Sequence, residues 1–148
     1  MKVAKKFQWE GAHRLPWHEG LCSNLHGHSY RMVVEVEGSL DEHGMVIDFT
    51  DIKRIITLLT KQWDHATLVH EEDTELLDVL LRAGWKHFVL PYDSTAENVA
   101  RFAADFFCAE AADALRSRGL STVRVTVHET ETCYAVYTRA VETSPLAA

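Results

Sequence analysis

The residues that could carry chemistry lie close together near the start of the chain. Cys22-Ser23-Asn24-Leu25-His26-Gly27-His28 sets a thiol four residues ahead of a His-Gly-His. On an extended strand successive side chains point to opposite faces, so His26 and His28 share a face and can share one ion. Gly27 between them leaves the other face unobstructed. Two imidazoles do not complete a site. His13, in Gly11-Ala12-His13-Arg14-Leu15 at the end of an earlier strand-like run, is the leading third ligand. Three neutral imidazoles with an open fourth position are the usual catalytic zinc arrangement, so Zn2+ is the expected cofactor. Cys22 is then free to act as a base or nucleophile; as a fourth ligand it would instead close the site into a structural one. Histidines also cap loops and sit in cores, and nine of them in 148 residues give some coincidences. The combination of His-x-His, an upstream His and a nearby Cys is what points to a metal.

Three further groups carry a functional and a plain reading side by side. Asp64-His65 closes a helical pattern, either as an acid/base pair or as polar residues at a helix end. Glu129 shares its parity with Val123, Val125 and Val127 at the end of a late strand. On the residues alone it reads as a surface carboxylate in a turn. Ser94-Thr95-Ala96-Glu97 is a capping-box pattern that opens a helix. His18, His43, His70 and His87 read as surface or loop histidines, and Cys108 as a small packed side chain.

The elements that must position these groups follow from periodicity. Val3 to Gly11 alternates and delivers His13 at its far end. Arg14 to Asn24, with Pro16 and Gly20, is a loop that carries Cys22. From His26 to Glu37, the residues His28, Tyr30, Met32, Val34 and Val36 line one face, so the metal face and the apolar face coincide. A short extended piece over Met45 to Phe49 leads to a helix capped by Thr50, with Ile52, Ile55, Ile56, Leu59 and Trp63 at helical spacing. Glu71 to Arg82 reads as a shorter helix stopped by Gly84, and His87 to Leu90 as a small edge strand. A long helix runs from the Ser94 capping box to Gly119. Strands over Thr122 to Glu129 and Cys133 to Ala140 follow, and Glu142 to Ala148 reads as a frayed tail. The fold class is α+β: a four-stranded antiparallel sheet with helices on one face. Four main strands leave exposed edges, which oligomerisation by edge pairing would protect.

Length and composition set the outer bounds. At 148 residues, with 47% hydrophobic and 25% charged residues, the chain suits a single globular domain over 1–148. A net charge of −7 and no basic block argue against nucleic acid as a partner. Three cysteines in no paired framework point to a reducing compartment. No leader-like or membrane-length apolar run is present, so a cytoplasmic protein without a membrane partner is expected.

Taken in order, His13, Cys22-x-x-x-His26-Gly27-His28, Met45-Val46-Ile47-Asp48-Phe49, Asp64-His65, Ser94-Thr95-Ala96-Glu97-Asn98 and His128-Glu129-Thr130 resemble one known family. The chain is similar, over about Phe7 to Arg139, to the 6-pyruvoyl-tetrahydropterin synthase family. Within it the likeness is greatest to bacterial 6-carboxy-5,6,7,8-tetrahydropterin synthases of queuosine and deazapurine biosynthesis. The resemblance implies a tunnelling fold, in which trimers close their sheets into a barrel and two trimers stack into a hexamer. It implies zinc at His13, His26 and His28, with Cys22 as the proton-abstracting thiolate. Asp64 and His65 would be the partner acid/base pair, reaching the pocket from a neighbouring subunit. Glu129 would anchor a pterin, with Thr95 as a further contact, and the substrate would be the small molecule 7,8-dihydroneopterin triphosphate. Three residues separate Cys22 from His26, the interval of the carboxy subtype; a pyruvoyl product, or a non-catalytic zinc or pterin binder on the same fold, are the alternatives. Val69 to Tyr92 is longer than in compact members, and Ser94 stands where many bacterial members carry Pro. Arg14 and Lys53 are the possible cationic contacts for the triphosphate.

Overall fold

The computed structural model describes residues 1–141, so the tail from Glu142 to Ala148 lies outside the described residues. Strand β1 (Lys2–His13) pairs antiparallel with β2 (His26–Gly38), with Trp9 opposite Tyr30, Gly11 opposite His28 and His13 opposite His26. Strands β5 (Leu120–His128) and β6 (Tyr134–Ala140) continue the antiparallel sheet on the β2 side. On the β1 side the sheet changes character. β3 (Ala66–His70) runs parallel to β1, and β4 (His87–Leu90) parallel to β3. The sheet is therefore six-stranded and mixed, in the order β4-β3-β1-β2-β5-β6, rather than four-stranded and antiparallel. β3 escapes a period-two reading because Ala66, Thr67, Leu68 and Val69 are all buried. A strand covered on both faces shows no alternation.

Helices α1 (Phe49–Trp63), α3 (Ala96–Glu110) and the short α4 (Ala112–Ser117) cover one face. α1 buries Ile52, Ile55, Ile56, Leu59 and Trp63. Each such side chain contributes about 1.5–3 kcal/mol of burial free energy. These side chains meet Tyr30, Met32, Val34 and Val36 of β2 and Val123, Val125 and Val127 of β5 in one continuous core. α2 (Thr74–Ala83) stands apart. It packs Leu76 and Leu80 on Val69, whose side chain points away from that of Leu68, the β3 residue that joins the main core.

Helix caps lie one or two residues from where the sequence pattern puts them. Asp48, not Thr50, caps α1 by accepting from the Thr50 N–H at 2.7 Å. Thr95, not Ser94, caps α3. The stretch over Met45 to Asp48 is irregular rather than extended, with Val46 and Ile47 buried. The long helix after Thr95 is interrupted at Ala111, and Gly119 ends the second piece with φ 62°. Cys108 is half-buried and burial pushes its thiol pKa up, as for a packed side chain.

Candidate metal centre and active site

The β1–β2 register brings the three histidines together. His13 and His26 are cross-strand partners, and His28 lies opposite Gly11. Their ring centroids are 4.6, 4.8 and 5.1 Å apart, and one ligand nitrogen from each lies within 4.8 Å of the others. Gly27 is what lets the strands approach here: a Cβ on it would sit 3.1 Å from the Gly11 carbonyl oxygen.

Backbone carbonyls orient two of the rings. His13 Nδ1 donates to the Ser94 carbonyl at 2.7 Å, and His26 Nδ1 donates to the Asn24 carbonyl at 2.8 Å. With Nδ1 carrying the proton, Nε2 keeps its lone pair for a cation. The Nε2 atoms of His13 and His28 are buried and have no hydrogen-bond partner. Orphaned buried nitrogens are costly, so two of them aimed into one cluster mark the place of a ligand. Burial lowers the pKa of His13 to about 4 and that of His28 below its usual value, which keeps both imidazoles neutral. Neutral imidazole is the form that binds zinc, so the residues present fit the ion. Among the described residues the cluster consists of these three histidines, and Cys22 lies outside it, which disfavours a closed four-ligand structural site.

Cys22 sits instead in a single turn of 3-10 helix, Leu21–Ser23, held by the bond from Leu15 N–H to the Cys22 carbonyl at 2.8 Å. It faces a cleft of about 290 Å³ shared with His13, Thr95, Glu97 and Glu129, with the exposed rings of Trp17 and Tyr134 at its mouth. Glu129 follows β5 directly, and its N–H donates to the Cys133 carbonyl at 3.2 Å. Its carboxylate comes within 3.8 Å of His13 Nε2. Burial, and then the nearby Glu97, raise its pKa, so it is a carboxylate partly removed from water beside the histidines. Thr95 lines the same cleft while its hydroxyl caps α3, accepting from Asn98 N–H at 3.3 Å.

Asp64 and His65 lie elsewhere. Asp64 ends α1, and its carboxylate accepts from the Glu10 N–H at 3.0 Å and lies 3.0 Å from His65 Nδ1. The Glu10 bond and then His65 hold its pKa below the usual carboxylate range. His65 has φ 57°, a left-handed backbone rare outside glycine, and donates its N–H to the Glu10 carbonyl at 2.6 Å. Its ring is 76% exposed and lines a second, open cleft of about 460 Å³ with Glu10, Gly27, His28 and Thr67. Within one chain, then, Cys22 and His65 open onto different clefts, with the histidine cluster between them.

Two cationic candidates do not reach the site. Arg14 is committed to Asp73 and Glu75, and Lys53 is exposed on α1 and lines neither cleft. The carbonyls of Asn24 and Ser94 carry no side-chain signature and are not visible to motif reading. Lys86, whose amino group donates to the Lys61 and Asp64 carbonyls at 2.9 and 2.6 Å, likewise belongs to no motif. A cation near a helix C-terminus was the available signal.

Comparison with known proteins bears on the fold and the family. A model of the 6-pyruvoyl tetrahydropterin synthase family matches residues 2–140. The 6-carboxy-5,6,7,8-tetrahydropterin synthase of Haemophilus influenzae is 38% identical over 109 residues, covering 68% of this chain and 77% of that protein. Its namesake from Aquifex aeolicus is 32% identical over 157 residues, covering 92% and 96%. The solved 6-pyruvoyl tetrahydropterin synthase of Plasmodium falciparum superposes with a TM-score of 0.78 at 20% identity, over 95% of this chain and 98% of that one. The Caenorhabditis elegans structure of the same name gives 0.64 at 24%, over 95% and 94%. At those identities the structural likeness speaks to the fold, which is the tunnelling fold. With a family match over almost every described residue and relatives above 30% identity along most of the chain, this protein belongs to the 6-pyruvoyl tetrahydropterin synthase family.

Proposed function

We propose that this chain is a zinc-dependent lyase that converts 7,8-dihydroneopterin triphosphate and water to 6-carboxy-5,6,7,8-tetrahydropterin, acetaldehyde and triphosphate. The observation that carries the reading is the pair of buried, unpartnered Nε2 atoms of His13 and His28, in a cluster whose His13 lines the cleft that holds Cys22 and Glu129 and whose His28 lines the cleft that holds His65. The names of the bacterial relatives and the three-residue interval from Cys22 to His26 favour the carboxy product.

His13, His26 and His28 would hold the zinc, which would act as a Lewis acid toward the oxygens of the substrate side chain. Glu129 would accept two N–H bonds from the guanidine-like edge of the pterin, with Thr95 lining the same wall. Cys22, as thiolate, would take the proton from the first side-chain carbon. Return of a proton to the ring moves the double bond inward, so the pterin is reduced internally and no nicotinamide is needed. Loss of triphosphate, addition of water to the first side-chain carbon, and cleavage of its bond to the second carbon, which takes up a proton, then release acetaldehyde and leave a carboxylate. His65, oriented through Nδ1 by anionic Asp64, would carry protons in these steps through its outward Nε2.

His65 and Cys22 open onto different clefts of one chain, so the pair would meet the thiol across a subunit boundary. β4 and β6 end the sheet with unpaired edges, and closing those edges between copies would build the trimeric barrel, two of which stack into a homohexamer. The described residues contain no helix long and apolar enough to cross a membrane, in keeping with a cytoplasmic role in queuosine biosynthesis.

The test is incubation of zinc-loaded protein with 7,8-dihydroneopterin triphosphate. Stoichiometric acetaldehyde with a carboxylated tetrahydropterin is the expected result. A pyruvoyl product without acetaldehyde would overturn the carboxy assignment, and no turnover would favour a binding protein.

A further inference from the structure

The excursion from β3 through α2 and β4 to Ser94 returns to the place it left. It departs beside β1, where Ala66 pairs with Gly11 and Thr67 with Ala12. It comes back at Ser94, whose carbonyl accepts a hydrogen bond from His13 Nδ1 at 2.7 Å. The next residue, just past the end of β1, grips the middle of the same excursion. Arg14 Nε and Nη2 donate to the two Asp73 carboxylate oxygens at 2.7 and 2.6 Å, and Nη2 also donates to Glu75 at 2.8 Å. Asp73 is only 9% exposed and caps α2 through Leu76 N–H at 3.2 Å, so this fork fixes the start of that helix. Two closures then tie the middle to the return. Glu71 N–H donates to the Leu90 carbonyl at 2.9 Å, and His70 Nδ1 lies 3.6 Å from the Asp93 carboxylate. Asn98 of α3 adds a bond to the Asp93 carbonyl at 2.9 Å.

Adjacent residues, the last of β1 and the one after it, therefore hold the return and the middle of a single loop of chain. We propose that Arg14 is a positioning residue for the metal centre: through Asp73 it braces the 66–94 excursion, whose Ser94 carbonyl sets the orientation of His13. α2 needs such a brace because its small cluster of Val69, Leu76 and Leu80 is separate from the main core. A bidentate guanidinium–carboxylate pair with one partner buried is the kind of contact that holds geometry. The inference rests on the reading of His13 as a metal ligand, but its structural part stands without the ion.

The experiment measures Zn2+ and Co2+ affinity of the metal-stripped full chain by competition with a chromophoric chelator, together with amide hydrogen exchange of the stripped chain. Arg14→Gln and Asp73→Asn are expected to weaken Zn2+ binding about tenfold, the size of a lost outer contact to a metal ligand. Arg14→Lys, which keeps the charge but not the fork, should fall between them and the native chain. In the same variants exchange at residues 92–95 should rise while α1 and α3 keep native protection. Glu75→Gln removes only the 82% exposed partner and should leave both readouts unchanged. A folded Arg14→Gln chain with native Zn2+ affinity and native exchange at 92–95 overturns the brace. A rise in exchange spread over α1 and α3 also overturns it, because it means general loosening. If the native chain itself takes up no zinc, the metal reading falls, and exchange at 92–95 alone decides for or against the brace.

Discussion

The two ends of the β1–β2 ladder are built from the same strands, the same register and the same face, yet they do opposite things. At one end Trp9 stacks on Tyr30 with centroids 4.8 Å apart, Trp9 meets Trp63 at 5.1 Å, and Met32 and Val34 are wholly buried. At the other end the same parity carries His13, His26 and His28, and the Nε2 atoms of His13 and His28 are left without partners. The first end is stabilised by removing large apolar surfaces from water, which outweighs leaving Trp9 Nε1, Tyr30 Oη and Trp63 Nε1 unpartnered. The second gives up stability by desolvating imidazoles, and that cost is recovered when a ligand binds. A site is thus written into a strand pair by changing residue type without changing backbone geometry.

The comparison can be broken by substitutions that move the wrong property. The largest effect is expected for Cys22→Ala, which should lower turnover by about 10²–10⁴-fold, the usual share of a proton-transferring group. Zinc content and melting temperature should stay native; a variant that keeps full turnover would remove Cys22 from the mechanism. Trp9→Ala should next cost about 3–5 kcal/mol in urea unfolding of the metal-free chain. His26→Ala should do the reverse: at least about a hundredfold loss of Zn2+ affinity in chelator competition, with metal-free stability changed by less than about 1 kcal/mol. If His26→Ala destabilised the metal-free chain as much as Trp9→Ala, the two ends would not differ in kind.

A smaller effect sharpens the same contrast, because the brace is where the histidine end does draw stability from charge. The bond from Arg14 holds Asp73 below its usual carboxylate pKa. A carboxylate with a depressed folded-state pKa contributes stability above its unfolded value and loses it as pH falls toward the folded one. Asp73→Asn, whose amide oxygen can still cap α2, should cost about 1–3 kcal/mol at neutral pH. The gap from the native chain should close as pH drops below about 4, measured by urea unfolding across that range. A gap independent of pH would mean that the ion pair contributes nothing.

Much of this is legible in the sequence, for a physical reason. His13, His26 and His28 sit on antiparallel strands, where alternation reports face directly, and the expected boundaries of β1 and β2 fall within one or two residues of those observed. What escaped had no such signal. β3 is buried on both faces and pairs in parallel with distant β1 and β4, so its four-residue buried run looks like none of the usual patterns. The caps were misplaced because Asp48 and Thr95 compete locally with equally good oxygens at Thr50 and Ser94. Asp64-His65 was visible as a motif, but its location beside Glu10, on a cleft away from Cys22, depends on tertiary pairing that no local pattern encodes.

Gly27 gives the cluster a mechanical property of its own. The gap between the two strands at that point is filled by the Gly11 carbonyl, 3.1 Å from where a methyl would project. An alanine there would press on that carbonyl and force the strands to give by a few tenths of an ångström, beside the very pairs that hold the tripod of rings. The smallest residue in the chain is therefore the gauge for the bite of that tripod, and it exerts that control without supplying a single donor atom.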